Sequence, residues 1–163
     1  MSLKKQNKNL SNDFTKVGTR RKQDVCFANV DLEIESKDNL QSLIDEFGED
    51  ADVLYHDRLE NGNDFASLEF HFGISEADIY EEPDKTISAF CDLIENFSTE
   101  SRKTWNACRE KRFDIGFESG NTEKTFNTKI QPKTLKRLSK IGATIVITIY
   151  SVLDYAVKRK ENL

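Results

Sequence analysis

The chain has 163 residues, 33% of them charged and 37% hydrophobic, with a formal net charge of -5 at pH 7. That length suits one domain able to bury most of what the unfolded chain exposes, and eleven Phe, four Tyr and one Trp supply large apolar surfaces to its core. No run approaches the ~18 apolar residues of a membrane span, and no apolar stretch follows the N-terminal lysines as a secretory signal requires.

Charge is unevenly placed. Residues 1–24 carry seven Lys/Arg against two Asp and lack apolar periodicity, which reads as a flexible basic leader. From Asp45 to Glu95 there are sixteen acids against only Arg58 and Lys85, and from Ser101 onward fourteen Lys/Arg face six acids. Residues 25–155 read as one domain, and 156–163 as a solvated basic tail.

Val25 to Ser36 alternates, with Ala28, Val30, Leu32 and Ile34 on one face and Asn29, Asp31, Glu33 and Glu35 on the other. Period two with one polar face predicts a half-buried strand of a sheet covered on one side. Leu40, Leu43, Ile44 and Phe47 follow at helical spacing, with Gly48 as the stop. A second strand is predicted near Asp52–Leu59, with Val53 and Tyr55 inward. Asn61-Gly62-Asn63-Asp64 then turns the chain into a third, where Ala66, Leu68, Phe70 and Phe72 alternate with polar residues. The two make an antiparallel hairpin, followed by an acidic loop over 73–83.

Pro83 opens a helix striped by Ile87, Phe90, Cys91 and Ile94, with Phe97 continuing the stripe. A second helical stretch lies within Ser98–Glu110, with Trp105 and Cys108 on its apolar side. Phe113, Ile115 and Phe117 alternate in a fourth strand, and Gly120-Asn121 leads to a short fifth around Phe126–Ile130. Pro132 starts a helix striped by Leu135, Leu138 and Ile141. Ala143 to Tyr150 is β-branched and apolar on both faces, which predicts a central sixth strand. The resulting fold class is α+β: a mostly antiparallel sheet of about six strands with helices on one face, in the order β-α-β-β-α-α-β-β-α-β. Phe90, Ile94, Phe113, Ile115 and Ile147 are expected to share one core.

The C-terminal half carries a family resemblance. Phe113-Asp114-Ile115-Gly116-Phe117-Glu118-Ser119, then Ile130-Gln131-Pro132-Lys133-Thr134-Leu135, then Leu138-Ser139-Lys140-Ile141-Gly142-Ala143 and Ile147-Thr148-Ile149-Tyr150 follow in order. Together they resemble the bacterial domain-of-unknown-function family DUF4279, over roughly residues 25–152. The hairpin departs from the family pattern, with Phe65-Ala66-Ser67-Leu68 where a Trp is common. The motifs are packing residues, so the resemblance implies a fold and a bacterial origin but no catalytic site.

Candidate chemistry is sparse. His56, His71 and Glu69 could be drawn together as metal ligands, but with no third strong ligand at fixed spacing they read as solvent-facing strand residues, and no metal or other cofactor is expected. Cys91 and Cys108 fall on apolar helix faces and behave as small hydrophobes, and Cys26 merely begins a strand. Three scattered cysteines without a CxxC fit reduced thiols in a cytosol better than a disulfide framework. No P-loop, dinucleotide fingerprint, nucleophile elbow or HExxH occurs. Nucleic-acid binding is disfavoured because the strand aromatics are expected inward. The acidic region is the strongest clue, and Asp57, Glu60, Asp64, Glu69, Glu81 and Glu82 are the candidates for contact with a basic protein partner. The expectation is therefore a non-enzymatic cytoplasmic protein-binding domain, with an immunity-type inhibitor of a basic toxin as its specific form. The alternative is an enzyme of unrecognised type with its site near loop 73–83.

Overall fold

A computed structural model describes residues 23–70 and 82–151. The basic leader up to residue 22, most of the acidic loop with His71 and Glu81, and the tail lie outside the described residues. The elements run β1 (Cys26–Ser36), α1 (Gln41–Phe47) with a 3-10 turn at Gly48–Asp50, β2 (Ala51–Arg58), β3 (Asp64–Phe70), α2 (Pro83–Glu95), α3 (Thr99–Ala107), β4 (Glu110–Glu118), α4 (Pro132–Ile141) and β5 (Thr144–Tyr150). The five strands form one sheet in the order β2-β3-β1-β4-β5. β1 pairs antiparallel with β3 and β4, β2 with β3, and β5 runs parallel to β4.

The α+β class and the helix positions agree with the sequence pattern, but the sheet has five described strands rather than about six, and it is mixed. The expected strand at Phe126–Ile130 is irregular chain. Only Phe126 and Ile130 are apolar between Gly120 and Gln131, too few for an alternating face. Phe126 packs instead on Phe117, ring centroids 5.4 Å apart, and Ile130 leans on the core. This stretch and α4 form the long crossover that a parallel neighbour of β4 requires.

Ala143–Tyr150 is a second correction. Its two-sided apolar pattern predicts a central strand, yet β5 lies at the edge, and Ile147 is 64% exposed rather than part of the core. The crossover lays β5 beside β4, and no described strand pairs with its other side. β2 forms the opposite edge. A register shift between its Val53 and Tyr55 puts these two residues on opposite faces, both half-exposed, where the sequence placed them together inward.

Each edge strand is delivered by the same device, a helix ending at a glycine with positive φ (Gly48 at 59°, Gly142 at 71°). The sequences of the two units are too dissimilar to mark a duplication.

The core lies between the sheet and the helices. Val30, Leu32 and Ile34 of β1, Ala66 and Leu68 of β3, and Phe113, Ile115 and Phe117 of β4 face Phe47, Ile87, Phe90, Ile94 and Trp105. Phe90 is its hub, with ring centroids 5.2 Å from Phe70, 5.6 Å from Phe113 and 6.1 Å from Phe47. The fully buried Trp105 donates its indole N–H to the Ile141 carbonyl at 2.9 Å, which ties α3 to the end of α4. Arg137 of α4 binds Glu95 at 3.0 Å and the Ser88 hydroxyl at 2.9 Å, clamping α4 to α2. With the helices on one side, the other face of the sheet carries no described helix.

Candidate functional site

Period-two alternation assigns the open face. β1 places Asn29, Asp31, Glu33 and Glu35 there, and the register carries that face across the sheet. Asp52 of β2 lies opposite Glu69 of β3, Glu69 opposite Asp31 of β1, and Asp31 opposite Asp114 of β4. Four consecutive strands thus contribute one carboxylate each to a single row. Directly opposed like charges in a sheet are destabilising, so this row costs the fold stability.

Its surroundings relieve the repulsion only in part. Glu33 and Arg112, opposite each other in the adjacent row, form an ion pair. Asn29 donates to Asp31 at 2.8 Å and the Thr148 hydroxyl donates to Asp114 at 2.9 Å. One oxygen of Asp114 and the amide oxygen of Asn29 are buried, and among the described residues neither has a hydrogen-bond partner. Burial, reinforced by Glu69, Glu33 and Asp114, pushes the Asp31 carboxyl up to about 6. Burial and Asp52 raise Glu69. Burial, followed by Asp114, Asp31 and Glu33, raises the Tyr150 hydroxyl.

Gly116 belongs to the same region for a steric reason. A Cβ there would sit 2.4 Å from Asn29 Oδ1 and 2.9 Å from the Tyr150 ring. Gly116 is thus a close-approach position, and a register shift lies opposite it on β1, between Phe27 and Asn29.

The structure separates the six acids singled out from the sequence. Glu69 and Asp57 share the open face, Asp57 opposite Phe65. Glu60 is exposed at the hairpin turn. Glu82 precedes α2, exposed and 3.4 Å from Lys85. Glu81 lies outside the described residues. Asp64 is buried on the helix side and cannot be a docking residue: it accepts the Leu40 amide at 2.7 Å and binds His56 at 3.0 Å. His56 therefore faces the helix side, not the outer face expected of it, because its register partner is Ala66.

The strand aromatics are also not all inward, since Tyr55 and Phe65 meet on the open face with ring centroids 6.1 Å apart. Three members of the row, Asp52, Asp31 and Asp114, are not among the sequence candidates, and the last two lie outside the acidic stretch between Asp45 and Glu95. The available signal was an acid at the polar position of each alternating strand.

Among the described residues no group of three or more His, Cys, Asp or Glu side chains is arranged to hold a metal ion. A row along a sheet spreads its carboxylates where a metal site makes them converge. Cys91 and Cys108 are buried, and burial pushes both thiols up to about 11. Cys26 is exposed, its thiol raised by burial and by Glu118. None of these has the depressed pKa of a nucleophile. Beside the end of the acidic loop, Glu82, Phe126, Asn127, Thr128, Lys129 and Gln131 line an open depression of about 300 Å³. Among the described residues it brings together one carboxylate, one lysine and the Thr128 hydroxyl.

The chain is thus an α+β protein with a mixed five-stranded sheet, helices on one face and a carboxylate row on the other. It matches no family model, no curated protein and no solved structure. Among the described residues no helix is long and apolar enough to cross a membrane.

Proposed function

We propose that this chain is a non-enzymatic, cytoplasmic protein-binding domain that docks a basic partner on the open face of its sheet. The observation that supports this reading is the carboxylate row Asp52–Glu69–Asp31–Asp114, which like-charge opposition makes unfavourable for folding alone. A lysine or arginine laid along the row would relieve that repulsion while gaining charge-assisted hydrogen bonds. Tyr55 and Phe65 beside it offer apolar contact next to the charge, a composition typical of protein interfaces. A carboxylate-rich face repels phosphate, which disfavours nucleic acid. Inhibition of a basic toxin by an immunity-type protein is the specific form we propose, and kinship with DUF4279 rests on the motif residues that form β4, α4 and β5.

Affinity capture from the native host tests the reading. Wild type should retain a basic protein whose association slows as salt screens charge over ~8–10 Å. The triple variant Asp31→Asn/Glu69→Gln/Asp114→Asn should fold at least as stably and associate about tenfold more slowly. A partner held equally well by the triple variant would place the docking surface elsewhere.

A further inference from the structure

We propose that the chain forms a homodimer by antiparallel pairing of β5 with β5 of a second copy, which continues the sheet across a two-fold axis. Edge strands present unpaired backbone groups, and proteins guard them with charges, prolines or bulges. The two edges of this sheet differ in that respect. β2 carries Asp52, His56, Asp57 and Arg58 and a register shift. β5 reads Thr-Ile-Val-Ile-Thr-Ile-Tyr, with no charge and no proline, and keeps unbroken register with β4 from Thr144 to Tyr150.

The helical layer also stops short of this edge. Ile147 and Ile149 are 64% and 68% exposed, although their β4 register partners Ile115 and Phe117 are buried. Leu135 of α4, the helix that leads into β5, is half-exposed as well.

The strand's own pattern selects a second copy as the occupant. A two-fold axis at Ile147 sets Ile147 against its own copy, Ile145 against Ile149, Thr144 against Tyr150 and Val146 against Thr148. All isoleucines then fall on the helix side, and the threonines, Val146 and Tyr150 on the open side. No charge meets a charge anywhere along the ladder. A basic partner of the kind the open face would attract finds no complementary charge here, whereas an identical strand matches on both faces. Seven paired residues make an interface at the small end of specific ones, so a Kd on the order of 10 μM is expected. The axis stands perpendicular to the sheet, so both open faces look the same way. Where the docking reading above also holds, a bivalent basic partner would gain avidity.

Sedimentation equilibrium of the full chain at about 100 μM should return a monomer–dimer equilibrium with a weight-average mass of about 1.8 chains. Ile147→Lys and Ile147→Glu should each weaken the dimer at least about a hundredfold by losing two buried isoleucines and opposing two like charges. Their far-UV circular dichroism should be unchanged. Mixed one to one they should recover the dimer, because lysine and glutamate meet at the axis. Ile149→Lys, opposite Ile145 of the second copy, is the second variant and should also sediment as a monomer. A wild type that stays monomeric at that concentration overturns the proposal, whatever else covers the strand. So does a dimer that all three charged variants retain, which would place the interface elsewhere, β2 included.

Discussion

Two aspartates on opposite faces of the same sheet show how position decides what a carboxylate does. On the open face, Asp31 sits among Glu69, Glu33 and Asp114, and its pKa is raised to about 6. The native state therefore holds this proton more tightly than the unfolded chain, whose aspartates titrate near 3.9. Sites of this kind lower stability as pH rises from about 4 to about 6, and the full penalty persists above that window. Asp31→Asn keeps the acceptor for Asn29 and removes the charge. It should stabilise the protein by about 1 kcal/mol at pH 7, after allowance for solvent screening of a half-exposed group. The gain should vanish near pH 4, and urea midpoints at the two pH values measure it.

Asp64 behaves oppositely. Burial alone would raise its pKa, but the Leu40 amide and His56 outweigh burial and hold it below the usual carboxylate range. Its contribution is present above the unfolded pKa and is lost as pH falls through the native one. Asp64→Ala leaves the Leu40 amide without its acceptor and should cost about 1–3 kcal/mol at pH 7. A chemical melt of that variant showing no loss would mean that water replaces the carboxylate.

At the scale of the element, α2 and β5 mark the limits of reading periodicity. The stripe of α2 predicts its buried face correctly, and Ile87, Phe90, Cys91 and Ile94 all lie in the core. Phe90→Ala removes the ring shared by Phe47, Phe70 and Phe113, and should cost about 3–5 kcal/mol in a denaturant titration. Ile147→Ala should cost under about 1 kcal/mol in the dilute monomer, because the site is mostly exposed. Similar costs for the two would mean that Ile147 is buried within its own chain. β-branched residues on both faces of β5 fit a central strand as well as an edge that another strand completes, so composition does not separate the two.

For the molecule as a whole, the division of net charge into an acidic and a basic stretch turns out not to be the division that the fold makes. Asp114 lies in the basic stretch and Asp31 before the acidic one, yet both join Glu69 and Asp52 in one row. A basic partner captured by the wild type should therefore respond to Asp31 and Asp114 as strongly as to Glu69. It should be indifferent to Glu60 at the hairpin turn and to Glu82 before α2. On-rates of single neutralising variants against salt check this, since a rim charge acts mainly through association.

What the sequence determined by itself is local. Apolar residues at period two or 3.6 assign β1, β3, β4, α1, α2 and α4, because each element must bury one face whatever its neighbours are. Asn61-Gly62-Asn63 specifies the hairpin, and Trp105 is legible as a core anchor from its apolar helix face. The tertiary structure decided the rest. Whether β5 lies at the centre or the edge depends on where the crossover delivers it. The parallel pairing with β4 follows from the length of chain between them, and the inward turn of His56 from a register shift in β2. The carboxylate row was least visible of all, because its four members are spread between residues 52, 69, 31 and 114 and only cross-strand register makes them neighbours. Turn geometry and the match of buried faces between neighbouring strands set that register, and a single strand carries no record of which strand it will meet.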